Sequence, residues 1–383
     1  MRPPTHLTRD APDVTIRALT PDELRTRADE WDVLVRAAAR PSPFLLADYV
    51  APWAERLAAP GTPLLLAAET GSRIVGGLPL VVHRSGGVAI ARWVGGVEAT
   101  PADLLLAPDA PDATAGALAR AAEGAADLAI LSGLGAAPAA ADAAPLQLVE
   151  RIAAPVLDTG PDWDAVYEAH VSSQSRKTHR KRRRRLEESG RLEIEVARDA
   201  TAVRRALPDA FAVHAKRWDG AADGSTFGTE AGRAFHLAAG PRLADLGAAL
   251  LVVVRLDDEP IAFQYALRAG TSLCLFRIGH DPAHARHSPG MLAMLAAMEA
   301  ASRDGVTRIE LLGGGEEYKL AFADRTEPMQ DGVGWAHGPR GRTVAALKTA
   351  ALRGRRRARR SQRLRRLLRR DVSAGQAQRA TRS

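Results

Sequence analysis

Residues 272–292 read Ser-Leu-Cys-Leu-Phe-Arg-Ile-Gly-His-Asp-Pro-Ala-His-Ala-Arg-His-Ser-Pro-Gly-Met-Leu. Ser272–Gly279 is an apolar run of strand length. Asp281–His287 is broken by Asp281-Pro282 and reads as a loop. Ser288-Pro289-Gly290 then opens a helix that runs to about Arg303. Serine suits the N-cap, proline suits the first helical position, and glycine lets another group approach the backbone closely. The unpaired amides and the dipole at such a helix start favour an anion, typically a phosphate. Many purely structural helices also open on Ser-Pro-Gly, so the context decides.

Outward from this stretch the pattern is an α/β one. Upstream lie two more strands, Ala249–Leu256 and Ile261–Arg268, separated by the turn Asp257-Asp-Glu-Pro260, with Ala269-Gly270 closing the second hairpin. Downstream come a strand at Arg308–Leu312, a Gly313-Gly-Gly315 turn, a short helix from Glu316 and a last strand near Gly332–Trp335. Before the meander, Trp163–His170 and Ser172–Glu188 read as helices and Arg191–Ala197 as a strand, followed by helices over 199–217 and 229–246. The N-terminal part repeats the plan. Helical spacing covers Pro21–Arg40 and Phe44–Leu57, and strands follow at Leu64–Glu69, Ile74–His83 and Val88–Val94. Residues 99–155 are rich in Ala, Pro and Gly, with a helix around 112–127 and a short strand near 128–132. Leu64–Leu80 and Leu250–Leu267 share one pattern: an apolar strand, a short charged turn and a second strand. The pattern suggests two related halves.

The chain has 383 residues, 46% of them hydrophobic and 26% charged, which excludes wholesale disorder. Its one cysteine, Cys274, excludes an intramolecular disulfide and sits mid-strand as a small hydrophobe. No apolar run reaches the roughly 20 residues that cross a bilayer, and the first ten residues lack a signal-peptide core. A soluble, cytoplasmic protein is the expectation. The net charge of +8 is unevenly spread: residues 340–383 hold sixteen Lys or Arg against Asp371, a balance of +15, so the rest sums to −7. Within that acidic body, Arg176–Arg185 carries eight fixed positive charges. The high pI therefore reports a tail and one helix, not a basic domain. His280, His284 and His287 fall in a loop with no Glu or Cys to complete a ligand set, so no metal is expected.

Three segments together resemble the GNAT superfamily of acyl-CoA transferases, and in particular its CelD-like branch, related to the Fem-type peptidoglycan aminoacyltransferases. They are Ser173-Gln-Ser-Arg-Lys-Thr-His-Arg-Lys-Arg-Arg-Arg-Arg-Leu186, Ala285-Arg-His-Ser-Pro-Gly-Met-Leu292 and Ile309-Glu-Leu-Leu-Gly-Gly-Gly-Glu-Glu-Tyr-Lys-Leu320. Phe44 and Gly77-Leu-Pro-Leu80 fit the family's first half, and the likeness spans about residues 20–335. It implies an α/β fold of two GNAT-like halves, each a mixed, largely antiparallel sheet flanked by helices. The division would be 1–160 for the N-terminal half, 161–338 for the acyl-CoA-binding half and 339–383 for an Arg-rich tail. It also implies acetyl-CoA or another acyl-CoA as co-substrate, with its pyrophosphate on Ser288, Pro289, Gly290, Met291 and Leu292. Arg286 would be the counter-charge, and the strand at Ile278 and Gly279 would pair with the pantetheine arm. The Pro-Gly here, without a second glycine, departs from the family's usual phosphate loop and leaves the cofactor pose open.

Acyl transfer to an amine or hydroxyl needs a base and a proton donor for the thiolate. Glu310 stands where the family places an acid. Glu317, Tyr318 and Lys319 follow the glycine turn, with Tyr318 a candidate donor and Glu310 or Glu317 a candidate base; packing for Tyr318 and carboxylate pairing for Lys319 are the plain alternatives. Gln264 and Tyr265 are candidates to line the acceptor site, and Arg176 and Arg180 of the basic run to meet an anionic acceptor, the CoA 3′-phosphate or RNA, or only solvent. Family analogy suggests an N-acetyltransferase acting on a small molecule or a cell-envelope sugar or peptide. The rivals are a Fem-type transferase taking its donor from aminoacyl-tRNA and a non-catalytic polyanion or membrane adaptor. The tail, with eleven Arg between Arg353 and Arg370, is a candidate for an anionic inner-membrane surface or any polyanion. Specific nucleic-acid binding is not expected.

Overall fold

The structure, a computed structural model, describes residues 14–217, 225–313 and 317–380. The first half comprises β1 (Val14–Leu19), α1 (Pro21–Thr26), α2 (Ala28–Ala37), α3 (Ala47–Arg56), β2 (Thr62–Thr70), β3 (Arg73–Ser85) and β4 (Val88–Trp93). It continues through β5 (Leu105–Leu106), α4 (Ala113–Ala125), β6 (Leu128–Leu134), α5 (Ala139–Ala143) and β7 (Leu146–Asp158). The second half opens with α6 (Trp163–His170), α7 (Ser173–Glu187), β8 (Leu192–Ala197), α8 (Ala200–Arg217) and α9 (Glu230–Asp245). Then come β9 (Ala249–Leu256), β10 (Glu259–Ala269), β11 (Ser272–His280), α10 (Pro289–Arg303), β12 (Arg308–Glu310), α11 (Glu317–Phe322) and β13 (Arg325–Gly334). The Arg-rich tail is largely one helix, α12 (Gly338–Ala380).

Local chemistry sets many of these boundaries. Thr20 and Glu23 form a reciprocal capping box at α1, with Glu23 N donating to Thr20 Oγ1 at 3.2 Å and Thr20 N to Glu23 Oε2 at 2.8 Å. Asp257 and Asp258 adopt φ of 51° and 70°, which closes the β9–β10 hairpin in two residues instead of the four that the sequence suggests. Gly77 lies against the Trp31 ring, where a Cβ would come within 2.7 Å, and the indole N–H donates to Leu45 O at 2.8 Å. This fixes α2 on β3.

Both halves follow one plan: an antiparallel meander, a crossover helix, then a parallel strand. In the first, β1–β4 are antiparallel, α4 crosses over, and β6 pairs parallel with β4. In the second, β8–β11 are antiparallel, α10 crosses over, and β12 pairs parallel with β11. One mixed sheet results, in the order β1-β2-β3-β4-β6-β13-β7-β12-β11-β10-β9-β8, with β5 beside β3. The join is an exchange. β13, from the far side of the predicted division at residue 160, lies between β6 and β7 and is antiparallel to both. It is also longer than the strand predicted near 332–335, and β7 falls within the Ala/Pro/Gly-rich stretch where no strand beyond 132 is readable.

The apolar core runs through both halves. Phe44 meets Phe276 edge-on at 5.3 Å, and Tyr49 on α3 meets Phe235 on α9 at 5.1 Å. A second cluster packs α10 and α6 on the other face of β9–β11. The opening turns of α12 also belong to the body: Val344, Ala345 and Leu352 cover Val88, Leu128, Ile130 and Val333, and Arg356 reaches Glu150 at 2.5 Å. Among the described residues no helix is long and apolar enough to cross a membrane.

His170 at the end of α6 ties down the turn before β13. Its Nδ1 lies 2.9 Å from Val166 O and its Nε2 2.9 Å from Asp324 Oδ1. Burial opposes the charged imidazole, but Val166 O and Asp324 outweigh it and raise its pKa; despite its own partial burial, Asp324 is lowered by the Asp158 amide and His170. The histidine's contribution is therefore full below its ordinary value and is lost as pH rises through the raised one. The aspartate's is full above its ordinary value and is lost as pH falls through the lowered one. The melting advantage of the parent over His170→Gln should peak between roughly pH 4 and 6.5 and vanish at alkaline pH, as checked by thermal unfolding across that range.

Candidate active site

β11 and β12 pair over only three residues, Ser272↔Arg308, Leu273↔Ile309 and Cys274↔Glu310. Beyond them β11 continues to His280 while the other chain turns away at Leu312, held at φ 56°. The fork opens a cavity of about 820 Å³. Its floor is Leu275–Ile278, whose backbone edge β12 no longer covers. Ser288, Gly290, Met291 and Met294 of the α10 start form one wall, and Leu311, Leu312, Gly313 and Lys319 the other. The first half lends Val97, Glu98, Thr100, Arg151 and Ile152, and His214, Arg217, Ser225, Gln264 and His280 complete the lining.

The α10 start is not capped by its own serine. Ser288 sits in the left-handed region (φ 51°, ψ 52°) and its hydroxyl caps no amide of the helix. Holding a serine there has an energetic cost that its surroundings must offset. The preceding turn is held by Asp281, which accepts from Ala283 N at 2.9 Å and pairs with Lys216 Nζ at 3.1 Å. Arg286 does not point at the cleft: its Nε donates to His287 Nε2 at 2.9 Å. His287 is buried with Nδ1 unpartnered, and desolvation together with Arg286, Arg185, His284 and Arg182 holds it below the ordinary imidazole value. The basic helix α7 thus brings Arg182 and Arg185 to the α10 start. His280 is likewise lowered, by burial and then by Arg217, against the pull of Asp281. Neutral histidines, ringed by fixed cations, border a helix start suited to an anion, and an extended chain can follow the free edge of β11.

The corresponding fork of the first half is filled. β4 and β6 pair only at Ile90↔Leu128 and Ala91↔Ala129 before parting. Ala99, Ala102 and Leu104 are buried in the segment that follows β4, and Ala102 N donates to Gly133 O at 3.3 Å. Gly133, at φ 79°, gives way to Thr100, which a Cβ there would strike.

The other predicted residues divide. Ile278, Ser288, Gly290, Met291, Lys319 and Gln264 line the cleft. The Gln264 side chain donates to Tyr265 O at 3.0 Å and Arg277 O at 3.1 Å, bracing the irregular stretch of β10. Pro289 and Leu292 are buried, Leu292 in the core behind the wall, and Gly279 gives room to the Phe263 ring. Tyr265 lies in the aromatic core with Phe227, His236 and Phe276, so it does not line an acceptor site. Arg176 is occupied by Val171 O at 2.9 Å and Glu168 O at 3.0 Å, closing the end of α6, while Arg180 is exposed on the next turn. The backbone of Glu317 and Tyr318 opens α11; their side chains lie outside the described residues.

Glu310 needs the plainest correction. It is 1% exposed and held by Arg40 at 2.9 and 2.7 Å and by Arg308 at 2.9 and 2.6 Å. Arg308 also grips Glu327 at 2.9 and 2.6 Å. A carboxylate so enclosed by two guanidiniums, and absent from the cleft lining, is a structural anion and not a general base.

The carboxylate that does line the cleft, Glu98, is one the sequence reading missed. It pairs with Arg277, whose guanidinium carbon lies 4.7 Å over the Phe276 ring, and its Oε2 accepts from Thr226 Oγ1 at 3.0 Å. Thr226 Oγ1 is in turn 2.8 Å from His236 Nε2. The only local signal is Gly95-Gly96 just before it, at the edge of the low-complexity stretch.

Comparison with known proteins agrees with this geometry. The GNAT acetyltransferase domain model matches residues 173–320. No curated protein matches by sequence. Among solved structures, FemX is 11% identical, covering 87% of this chain and 99% of its own at a TM-score of 0.60. The C-terminal domain of a protein assigned as a lysylphosphatidylglycerol synthetase from Agrobacterium fabrum is 14% identical (86% and 97% covered, TM-score 0.55). A tandem GNAT protein from the clavulanic acid biosynthesis pathway is 13% identical (85% and 100%, TM-score 0.50). Residues 173–320 thus match a GNAT acetyltransferase domain. The fold of the whole chain is the one shared with FemX and the tandem GNAT protein, with two GNAT-like halves in one sheet.

Removing one member of a buried ion group leaves its partners uncompensated. Glu310→Ala should lower the unfolding free energy by about 3–5 kcal/mol in denaturant titrations, and a loss below about 1 kcal/mol would mean that Arg40 and Arg308 find solvent instead.

Proposed function

We propose that this chain is an acyl-CoA-dependent acyltransferase whose donor occupies the open fork of the second half. The observation that carries the reading is the continuity of the free β11 edge with the uncapped start of α10. Pantetheine can pair along Leu275–Ile278 while the pyrophosphate meets the Gly290 amide, the Met291 amide being engaged with Ser288 O at 3.0 Å. The reaction is transfer of an acetyl or other acyl group to an amine or hydroxyl brought in between the halves, on a small molecule or a cell-envelope sugar or peptide. No step requires a metal: the thioester is already activated, and helix amides and arginines supply the positive field.

A second reading keeps the acyl transfer and changes the donor to aminoacyl-tRNA. It is favoured by α7, where Arg183 and Arg184 pair with Glu187 and Glu188 but Arg180, Lys181, Arg182 and Arg185 face outward or toward the α10 start. An RNA-borne donor would bind with steep salt dependence.

Ligand that binds the folded state alone raises the melting midpoint. Acetyl-CoA and CoA at about one hundred times Kd should each raise it by about 3 °C, and ATP should not. A Cβ on Gly290 would have only ordinary contacts, 3.6 Å from His280 and 3.7 Å from Ile278, so the helix start tolerates a methyl but not a large ring beside a ligand. Gly290→Trp should abolish the shift. Absence of a shift at millimolar acetyl-CoA, with salt-sensitive tRNA binding in its place, would move the donor to RNA.

A further inference from the structure

The acyltransferase reading supplies a donor site and leaves the base to be sought among the groups around the cleft. Glu310 is enclosed, and His280 lies beside the α10 start, at the phosphate end of the cleft. Among the described residues Glu98 is the carboxylate that lines the cavity.

Its position is prepared by the first half. Gly95 (φ 83°) and Gly96 (φ 60°) turn the chain sharply after β4, and Gly95 packs against Ala99 and Tyr49 so closely that no Cβ fits. Val94 N donates to Pro79 O at 3.1 Å, Gly96 N to Trp93 O at 3.0 Å, and Ser42 Oγ to Pro101 O at 2.5 Å. The segment that plugs the first fork therefore also carries a rigid tip, Val97-Glu98, over the second fork. Val97 is 56% exposed there, an apolar neighbour for whatever enters. The second half meets the tip with a polar chain. His236 is fully buried, and desolvation followed by Arg277 drives its pKa down to about 3, so its ring stays neutral. If its Nε2 carries the proton, it donates to Thr226 Oγ1, which donates to Glu98 Oε2; Arg277 holds Oε1. The carboxylate is thereby held and aimed, with lone pairs still free on both oxygens.

Resting on the acyl-CoA reading, we propose that Glu98 is the catalytic carboxylate that accepts the proton of the incoming nucleophile, so that one half of the molecule holds the donor and the other supplies the base. The acceptor's N or O forms a bond to the thioester carbonyl carbon, and its proton passes to Glu98. The C–S bond breaks, and the CoA thiolate leaves with that proton, returned from Glu98 directly or through water. Thr226 and His236 are positioning residues. The charged and titratable groups facing Glu98 are Arg277 from β11, Tyr49 from α3 and, through Thr226, His236 from α9.

The test uses the full chain, acetyl-CoA as donor, and water or ethanolamine as surrogate acceptor, with release of CoA thiol as the rate and the melting shift as the measure of donor binding. Glu98→Gln should reduce kcat by about a hundredfold or more and flatten the acidic limb of the pH–rate profile, with the acetyl-CoA shift unchanged. Glu98→Asp should recover part of the rate, and Thr226→Val should lower kcat by about tenfold without changing the KM for acetyl-CoA. Turnover of Glu98→Gln within threefold of the parent, with the donor still bound, overturns the assignment alone. A parent chain that shows no acetyl-CoA shift overturns the donor reading, and this assignment with it. If Glu98→Gln unfolds, Glu98→Asp decides: a rate below that of a folded Glu98→Ala overturns the proposal.

Discussion

The fork between β11 and β12 depends on one buried carboxylate. Glu310 is the last residue of β12 to pair with β11, at Cys274, and on its other side it pairs with Val156 of β7. A buried anion must be fully compensated, or it costs several kcal/mol. Arg308 compensates it from two residues away on the same strand, and Arg40 from the end of the α2 region, 270 residues distant in sequence. The same group of charges therefore fixes where the two strands stop pairing and which part of the first half lies over the parting. The parting of the strands begins at a carboxylate that is already buried and fully paired.

Two copies of one plan have diverged around that constraint. In the first half the segment after β4 folds into the gap between β4 and β6 and fills it with Ala99, Ala102 and Leu104. In the second half the corresponding gap stays open and is bordered by the start of α10. The filled copy is not inert. Its plug is immobilised by its own hydrogen bonds and so can hold Val97 and Glu98 at a fixed place over the other half. Preorganisation of this kind is what a loop on a separate, rigid body can provide and a mobile lid cannot.

The meander, α10 and the α7 helix are legible in the sequence because each is specified locally, by apolar runs, a two-residue turn, a proline at a helix start or a capping serine. β7 and β13 are not legible. β13 reads Arg325-Thr-Glu-Pro-Met-Gln-Asp-Gly-Val-Gly334, a poor strand by composition, and it is ordered by strands on either side that lie more than 160 residues earlier. The cleft wall at the α10 start is legible from Ser-Pro-Gly, since that motif opens a helix wherever it occurs. Glu310 was misread because an acid at the end of a strand looks the same in sequence whether or not arginines from distant segments enclose it. Glu98 was missed for the converse reason. Its surroundings, Arg277, Thr226 and His236, come entirely from the other half.

The place of β13 has a consequence for the order of events during synthesis. β6 and β7 are complete by residue 158, yet the strand that separates and pairs them ends at Gly334. Until that point has left the ribosome the N-terminal half has two open strand edges side by side, which can pair with each other in a register the finished protein never uses, or with a neighbouring chain. The molecule resembles a clasp more than two beads on a string: the strand that closes its first half is the last strand to be made.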